Sequence, residues 1–317
     1  MPASVRSLVE IDGHSLSLSN PEKILFPRDG YTKGDLIAYY RAVAPYILPY
    51  LKDRPLTLER FPNGLESESW WEKHKPKGLP PWIRTTTVAS STDAHAPIEF
   101  LVCDDEATLA YVANLAAIVL HVWHSHLPDL DVPDFLLIDL DPFKCTLATL
   151  ARVALRFRDE LASIGLAPLV KTTGGKGLHL VIPLERRYDY DHARAFAELI
   201  ARRVHGLVPE LTTLERTIAK RPVGTVMLDY VQVGKGKTYV APYSVRARDG
   251  APVSMPIDWP TVEAMARKRA KTTEPEMTRW TIANVPKLLA AFGDPWAEGW
   301  KPQRLEGALT TARTLWE

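Results

Sequence analysis

The sequence predicts an α/β fold, because strand-like and helix-like segments alternate along much of the chain, most clearly between residues 134 and 204. Hydrophobic residues make up 46% and charged residues 24% of the 317 residues, which is ordinary globular composition. At roughly 150 residues per domain, the length permits one large core or two linked ones. No internal repeat or long Gly/Ser linker marks a boundary, so we expect one compact domain over residues 1–317.

The elements of the first part follow from local patterns. Residues 31–52 carry apolar side chains at helical spacing, and Thr32 with Asp35 forms a capping-box pattern, so a helix begins there. Short strands are predicted at 56–61 and 97–103. Residues 105–123 predict one buried helix, because apolar side chains cover most of its faces.

The elements of the second part alternate more regularly. A strand is predicted at 134–140, followed by a helix at 146–164 that ends at Gly165. The remaining predictions are strands at 167–173 and 178–184 around a glycine turn, a helix at 191–204, strands at 225–231 and 238–245, a basic helix at 260–271, and a tail rich in Trp and Pro.

Charge and cysteine content exclude some classes of protein. The formal net charge is +1 and the pI is about 7.8, so a polyanion would have to be bound by local patches, which argues against a histone-like binder. Cys103 and Cys145 are too few for a disulfide framework and lack zinc spacing. The first twenty residues lack a signal core, and Asn114 and His121 interrupt the most apolar stretch, so we expect a soluble cytoplasmic protein without membrane contact.

Two carboxylates, Asp139 and Asp141, stand one residue apart where a predicted strand ends. Side chains two positions apart on a strand share a face, so their backbones lie about 6.5 Å apart, and Pro142 then stops the strand. Carboxylates that converge in this way can hold one or two Mg²⁺ or Mn²⁺ ions, which lie about 3.5 to 4 Å apart in phosphoryl-transfer sites. The alternative is a solvated strand end that starts an Asp-Pro turn.

A third carboxylate, Asp229, ends another apolar, strand-like segment. A buried charge needs either a partner or a metal to offset its desolvation. Both a metal site and an ordinary salt bridge to a nearby Arg or Lys therefore remain open.

The segment 171–180, KTTGGKGLHL, places three glycines around Lys176 between two predicted strands. It differs from a Walker A loop, because Gly177 replaces Ser or Thr after the lysine and a strand follows instead of a helix. Glycine amides together with Thr173, Lys176 and His179 could hold a triphosphate. A glycine-rich turn with one solvated lysine is the alternative.

Three motifs together resemble those of a known family: Asp139-Leu-Asp141-Pro142, Thr173-Gly-Gly-Lys176-Gly-Leu-His179, and Asp229-Tyr followed by VAPYSVRAR. They resemble the polymerase domain of bacterial DNA ligase D, which belongs to the archaeo-eukaryotic primase superfamily. The resemblance extends over nearly the whole chain, from NPEKILFP through RPLTLERFPNG and NLAAIVLHVWHS to TRWTIANVP. It implies a primase-like catalytic core with a mixed central β-sheet, a second β-rich layer and flanking helices.

The resemblance also implies roles for individual residues. It implies that Asp139, Asp141 and Asp229 bind two Mn²⁺ or Mg²⁺ ions. It implies a nucleotide-binding group formed by His121, Thr173, Lys176, His179 and Arg246. It implies a 5′-phosphate and DNA-binding group formed by Asn20, Lys23, Lys33, Trp70 and Trp71, in which the two tryptophans stand where the family usually has two phenylalanines that stack at the template break.

Some positions depart from the family pattern. The family usually has serine at Thr173, a second small polar residue at Gly175 and a basic residue at Thr225, for which Lys220 and Arg221 could compensate. The nucleophilic Lys-x-Asp-Gly motif of the ligase domain and a phosphoesterase-like segment are both absent from the sequence. We therefore expect strand sealing to come from another polypeptide or from a further part of a longer protein.

The function implied by the resemblance is template-dependent nucleotide addition in non-homologous end joining. Its substrates would be DNA with gaps or 3′ overhangs and a 5′-phosphate, together with NTP or dNTP, with ribonucleotides preferred. We expect a nucleoid-associated monomer whose partners include a Ku-like end-binding protein and a DNA ligase. The alternatives are a replication or damage-tolerance primase-polymerase, and a non-catalytic module that bridges DNA ends.

Overall fold

The computed structural model describes residues 6–89 and 96–316, and these form an α/β protein with two compact units. Unit 1 comprises Met1–Trp123, Thr238–Ser254 and Trp280–Phe292, and unit 2 comprises His124–Lys237, Met255–Arg279 and Gly293–Glu317. The expectation of one domain over residues 1–317 stays a prediction.

The strands are numbered in chain order. They are β1 (Arg6–Ile11), β2 (His14–Ser19), β3 (Ile24–Phe26), β4 (Tyr31–Thr32), β5 (Pro55–Arg60), β6 (Trp70–Glu72), β7 (Thr85–Val88), β8 (Ile98–Val102), β9 (Ala117–Trp123), β10 (Ser125–His126), β11 (Asp129–Pro133), β12 (Phe135–Phe143), β13 (Leu169–Thr172), β14 (Leu178–Pro183), β15 (Thr212–Thr213), β16 (Thr225–Asp229), β17 (Thr238–Val240) and β18 (Pro256–Ile257).

The α-helices are numbered in the same way. They are α1 (Lys33–Leu51), α2 (Glu106–Asn114), α3 (Leu147–Ser163), α4 (Tyr190–Leu207), α5 (Trp259–Arg267), α6 (Glu274–Met277), α7 (Val285–Phe292) and α8 (Leu305–Trp316), with a short 3-10 helix at Ile218–Lys220. Among the helices described, none has the length and apolar character that a membrane span requires.

Unit 1 is built on an antiparallel sheet in the order β17-β9-β5-β8-β7, to which β6 is added beside β5. Helix α1 packs against α2 and α7. The predicted capping box starts α1, since the Thr32 hydroxyl accepts from the Asp35 amide at 3.2 Å and the Thr32 amide donates to the Asp35 carboxylate at 2.8 Å. Buried apolar side chains of α1, including Tyr40, Val43 and Ile47, form much of this core.

The prediction of one helix over 105–123 is wrong in its second half. Helix α2 ends at Asn114, Ala116 takes a left-handed φ of 57°, and the chain then forms the fully buried strand β9. Apolar residues on every face fit a buried strand as well as a buried helix, and the β-branched residues Ile118, Val119 and Val122 favour the strand. The correction matters because it places His121 on a strand.

Unit 2 is built on a mixed sheet in the order β15-β16-β12-β14-β13-β18, in which β15 and β16 are parallel and the other pairs antiparallel. Helices α3 and α4 both pack on β12. Phe135 of β12, Phe157 of α3 and Trp296 are fully buried. The predicted helices at 146–164 and 191–204 and the predicted strands beside them are confirmed within a few residues.

Candidate active site

One face of the unit 2 sheet carries a row of charged and ionisable residues. Asp139 of β12 lies directly opposite Asp229 of β16 and His179 of β14, and His179 lies opposite Lys171 of β13. Directly opposed residues of antiparallel strands point to the same face, and Asp141 shares that face because it lies two positions after Asp139. The strand register therefore puts three acids on one face.

Each of these carboxylates contacts protein groups. Asp229 is 5% exposed, and its two oxygens accept from the Val231 amide at 3.0 Å and from the Gln232 side-chain amide at 2.8 Å. An Asp139 oxygen lies 3.5 Å from His179 Nε2. An Asp141 oxygen lies 3.5 Å from the Arg221 guanidinium, which is nearly buried. Arg221, weighed above as a substitute for the missing basic residue, thus lies beside the acids.

The three acids fit a divalent cation by their chemistry and share one face of the sheet. Carboxylate oxygens are the ligands that Mg²⁺ and Mn²⁺ prefer. Like charges placed directly opposite each other, as Asp139 and Asp229 are, destabilise a sheet unless a positive charge offsets them. Within residues 6–89 and 96–316, however, no group of three His, Cys, Asp or Glu side chains is arranged as a metal site. In this structure Gln232 bonds an oxygen of Asp229, and Arg221 lies 3.5 Å from an oxygen of Asp141.

The glycine turn lies directly against the strand that carries two of the acids. A Cβ on Gly177 would stand 2.3 Å from the Leu140 carbonyl oxygen, so only glycine allows this approach. The Thr173 hydroxyl accepts from the Gly175 and Gly177 amides at 3.2 Å each and so closes the turn. Its own proton remains available to a ligand. Lys176 is exposed at the turn.

The predicted nucleotide-pocket residues His121 and Arg246 belong to unit 1. His121 of β9 is 9% exposed, and its ring centroid lies 4.6 Å from that of Trp71. The register places Thr57 opposite His121 and Trp71 opposite Glu59, so these four side chains share one face of the sheet. Burial raises the pKa of the Glu59 carboxyl, and the charge of Arg246 opposes that rise. This face combines an aromatic ring, an imidazole and a cation.

Trp70 and Trp71 are consecutive residues of β6 and therefore point to opposite faces. Trp71 contacts His121, whereas the Arg60 guanidinium lies 5.1 Å from the centre of the Trp70 ring. Both indoles are exposed, by 45% for Trp70 and 54% for Trp71. They line a groove of about 810 Å³ together with residues of the next segment, including Lys73, Lys75 and Lys77. Exposed aromatic rings beside lysines are typical of single-stranded nucleic-acid binding.

The predicted 5′-phosphate residues come together in one turn of unit 1. The Lys23 amide donates to the Asn20 carbonyl at 3.1 Å, and the Lys33 amide donates to the Lys23 carbonyl at 2.8 Å. Lys33 is 5% exposed, and its ammonium donates to the Ser19 hydroxyl at 3.0 Å and the Asn114 carbonyl at 3.1 Å. Burial, followed by repulsion from Lys23, lowers the pKa of Lys33 to about 8.

The sequence patterns did not indicate three residues near these sites. Lys171 is fully buried in the row with His179 and Asp139. The Gln232 side-chain amide donates a hydrogen bond to Asp229, and Glu59 lies near Arg246. A lysine inside the apolar segment LVKT was a usable signal, because lysine is seldom fully buried without a specific partner. Gln232 and Glu59 gave no local signal.

Carboxylates on one sheet face, beside a glycine turn whose amides can bind phosphate, are suited to metal-assisted phosphoryl transfer. A family model described as "LigD, primase-polymerase domain" matches residues 32–296. The chain therefore belongs to the LigD primase-polymerase family of DNA-directed nucleotidyltransferases, as the sequence motifs predicted.

Individual relatives agree with this assignment. The chain is 34% identical over 268 residues to the "Multifunctional non-homologous end joining DNA repair protein LigD" of Mycobacterium tuberculosis, with 82% of this chain and 35% of that protein covered. It is 34% identical over 251 residues to the "Bifunctional non-homologous end joining protein LigD" of Bacillus subtilis, with 78% and 40% covered. The chain thus spans between a third and two fifths of the length of these curated relatives.

A solved structure shows the same fold. The polymerase domain from Mycobacterium tuberculosis Ligase D, in complex with DNA, matches with a TM-score of 0.80 and 32% identity, over 89% of this chain and 97% of that one. The expected α/β fold of the primase type, with a mixed sheet that carries the acids, is thereby confirmed.

Proposed function

We propose that this chain adds nucleotides to broken DNA ends in a template-dependent reaction during repair by non-homologous end joining. The observation that carries the proposal is the placement of Asp139 directly opposite Asp229, with Asp141 on the same face, in a chain of the LigD primase-polymerase family. In the reaction, the primer 3′-hydroxyl oxygen bonds to the α-phosphorus of the nucleotide and loses its proton. The bond from that phosphorus to the bridging oxygen breaks, and pyrophosphate leaves.

The three acids are proposed to hold two divalent cations, Mn²⁺ or Mg²⁺. Such ions lower the pKa of the attacking hydroxyl and offset the charge that develops on the leaving group. The chain's own part is to aim Asp139 and Asp141 from a rigid strand, with Asp229 supplied by the neighbouring strand. His179, 3.5 Å from Asp139, is proposed to orient that carboxylate and to contact the nucleotide phosphates.

Nucleotide binding is assigned to the remaining residues by their chemistry. Lys176 and Thr173 offer a cation and a hydroxyl at the glycine turn, suited to phosphate oxygens. His121 and Arg246 are proposed to contact the incoming nucleotide. We also propose that ribonucleotides are preferred over deoxyribonucleotides.

The DNA substrate is proposed to be a gap or a 3′ overhang with a downstream 5′-phosphate. Asn20, Lys23 and Lys33 share one hydrogen-bonded turn at the start of α1, where the helix dipole favours an anion. Trp71, supported by Trp70 and the lysines of the adjoining groove, is proposed to stack on a template base. A Ku-like protein and a DNA ligase as partners, a monomeric state and a nucleoid-associated location in the cytoplasm stay predictions.

The test is primer extension on a gapped, 5′-phosphorylated duplex. Asp139→Asn and Asp141→Asn should lose extension while binding DNA with unchanged affinity, because they remove metal ligands and no DNA contact. Asp191→Asn, which alters a carboxylate that is 83% exposed on unit 2, is the matched control and should extend normally. Normal extension by Asp139→Asn would disprove the metal assignment.

The same assay separates the finer proposals. Extension with NTP is compared with extension with dNTP, in Mn²⁺ and in Mg²⁺, on DNA with and without the 5′-phosphate. Faster extension with dNTP would contradict the ribonucleotide preference. Dinucleotide synthesis on single-stranded template without a primer would favour a primase-polymerase of replication or damage tolerance.

A further inference from the structure

A cavity of about 490 Å³ lies in unit 2 where β12 ends. Its wall includes Lys144, Lys176, Lys271, Thr272 and Glu274. The volume falls within the range of small-molecule sites, roughly 300 to 1,000 Å³. It is large enough for a phosphate chain and is continuous with the glycine turn through Lys176.

The cavity wall is strongly positive. Three ammonium groups and the carboxylate of Glu274 line it, and among the described residues Lys144, Lys176 and Lys271 form no salt bridge. Like charges gathered around one concave surface repel each other and raise the local concentration of anions. The protein as a whole has a formal net charge of only +1, so this cluster is a local feature.

The backbone fixes where these lysines lie. Lys144 takes a left-handed φ of 50°, a conformation that costs energy in a residue other than glycine, and its ammonium lies 5.6 Å from the centre of the Phe143 ring. The Leu147 amide at the start of α3 donates to the Ala270 carbonyl at 3.3 Å, which holds the segment of Lys271 beside that of Lys144. Two distant parts of the chain thus converge on one cavity.

Pro142, the residue directly after Asp141, also lines the cavity. Lys144 follows Asp141 by three residues, and Lys176 belongs to the turn that presses on Leu140. Nucleotidyl transfer releases pyrophosphate, a compact anion with several charges, which must be held during the reaction and then leave. A lysine-lined cavity at this edge matches that chemistry.

We infer that Lys144 and Lys271, together with Lys176, bind the terminal phosphates of the incoming nucleoside triphosphate and the pyrophosphate that it releases. This inference rests on the proposed function and extends it to two residues outside the motifs. Lys144 and Lys271 bind the phosphate chain, and the acids act at the α-phosphate.

The experiment measures binding of inorganic pyrophosphate to the metal-free, DNA-free protein by calorimetry. Lys144→Gln with Lys271→Gln should weaken pyrophosphate binding about ten-fold, since each exposed ion pair contributes a few-fold. Glu274→Gln should strengthen it, because a carboxylate is removed from the wall. Lys301→Gln, an exposed lysine elsewhere in unit 2, should leave the affinity unchanged. The double lysine variant should weaken pyrophosphate binding and Glu274→Gln should strengthen it. Misfolding would weaken binding in both variants, so the opposite changes identify an effect of charge.

Two kinetic measurements complete the test. The double lysine variant should raise KM for the nucleotide and weaken inhibition by added pyrophosphate, with kcat and DNA affinity close to wild type. Unchanged pyrophosphate binding would overturn the inference. So would a loss of DNA affinity with pyrophosphate binding intact, since the cavity would then serve the nucleic-acid backbone. Failure of the proposed function would instead be seen as extension by Asp139→Asn.

Discussion

Raising the pH from 7 to 9 should weaken binding of a DNA 5′-phosphate through Lys33. Because its pKa is about 8, the protonated fraction of Lys33 falls from about nine tenths at pH 7 to about one tenth at pH 9. When only the charged form binds strongly, affinity follows that fraction, so it should fall by as much as about ten-fold. The phosphate itself changes little, because its second pKa is near 6.

The expected fall in phosphate affinity does not come from unfolding caused by the titration of Lys33. Its pKa in the folded protein, about 8, lies below the ordinary value of 10.5, so between these pH values the unfolded chain binds the proton and the folded chain does not. The contribution of Lys33 to the free energy of unfolding therefore increases as the pH rises through this window. Stability and phosphate affinity should change in opposite directions.

The assay is fluorescence anisotropy of a gapped duplex at pH 7, 8 and 9 and constant ionic strength. The ratio of affinities for 5′-phosphate and 5′-hydroxyl DNA isolates the phosphate contact from the rest of the DNA-binding surface. Lys33→Arg keeps its charge over the whole range and should flatten the pH profile. A wild-type ratio that is the same at pH 7 and pH 9 would refute the role of Lys33.

Two further predictions concern the glycine turn and the tryptophans. Gly177→Ala should lower the free energy of unfolding by roughly 1–3 kcal/mol and impair extension, because the added Cβ meets the Leu140 carbonyl. In the control variant Gly206→Ala the added Cβ meets nothing within 4 Å, so thermal denaturation should show normal folding. Trp71→Ala should weaken template binding by about 1–3 kcal/mol in anisotropy, and Trp70→Ala, on the other face of β6, should weaken it less; equal losses would contradict the assignment of stacking to Trp71.

Local patterns predicted the elements that depend on few long-range contacts. The start of α1 was predicted correctly because Thr32 and Asp35 satisfy backbone groups within one turn. Strands β12, β13, β14 and β16 were also predicted, since each combines apolar residues with a clear break. The β1–β2 hairpin and helices α7 and α8 were missed, and the strand predicted at 238–245 is confined to Thr238–Val240.

The errors arose where burial removes the polar face that distinguishes a helix from a strand. Over 105–123, nearly every side chain is apolar, so periodicity could not show that the chain turns at Ala116. Only the pairing of β9 with β5 and β17 settles its conformation. The orientation of His121 toward Trp71 follows from that pairing.

The sequence by itself determined the family and the α/β class, because motifs and short-range patterns lie within a few residues of each other. It also predicted the three acids as metal ligands, which stays a prediction. Tertiary structure decided what those residues contact. The strand registers place Asp139 opposite Asp229 and His179, and the segment after the short 3-10 helix brings Arg221 to Asp141. The hydrogen bond from the Leu147 amide to the Ala270 carbonyl holds the segments of Lys144 and Lys271 beside one cavity. Such contacts depend on hydrogen bonding and packing between residues far apart in the chain, which no local pattern encodes.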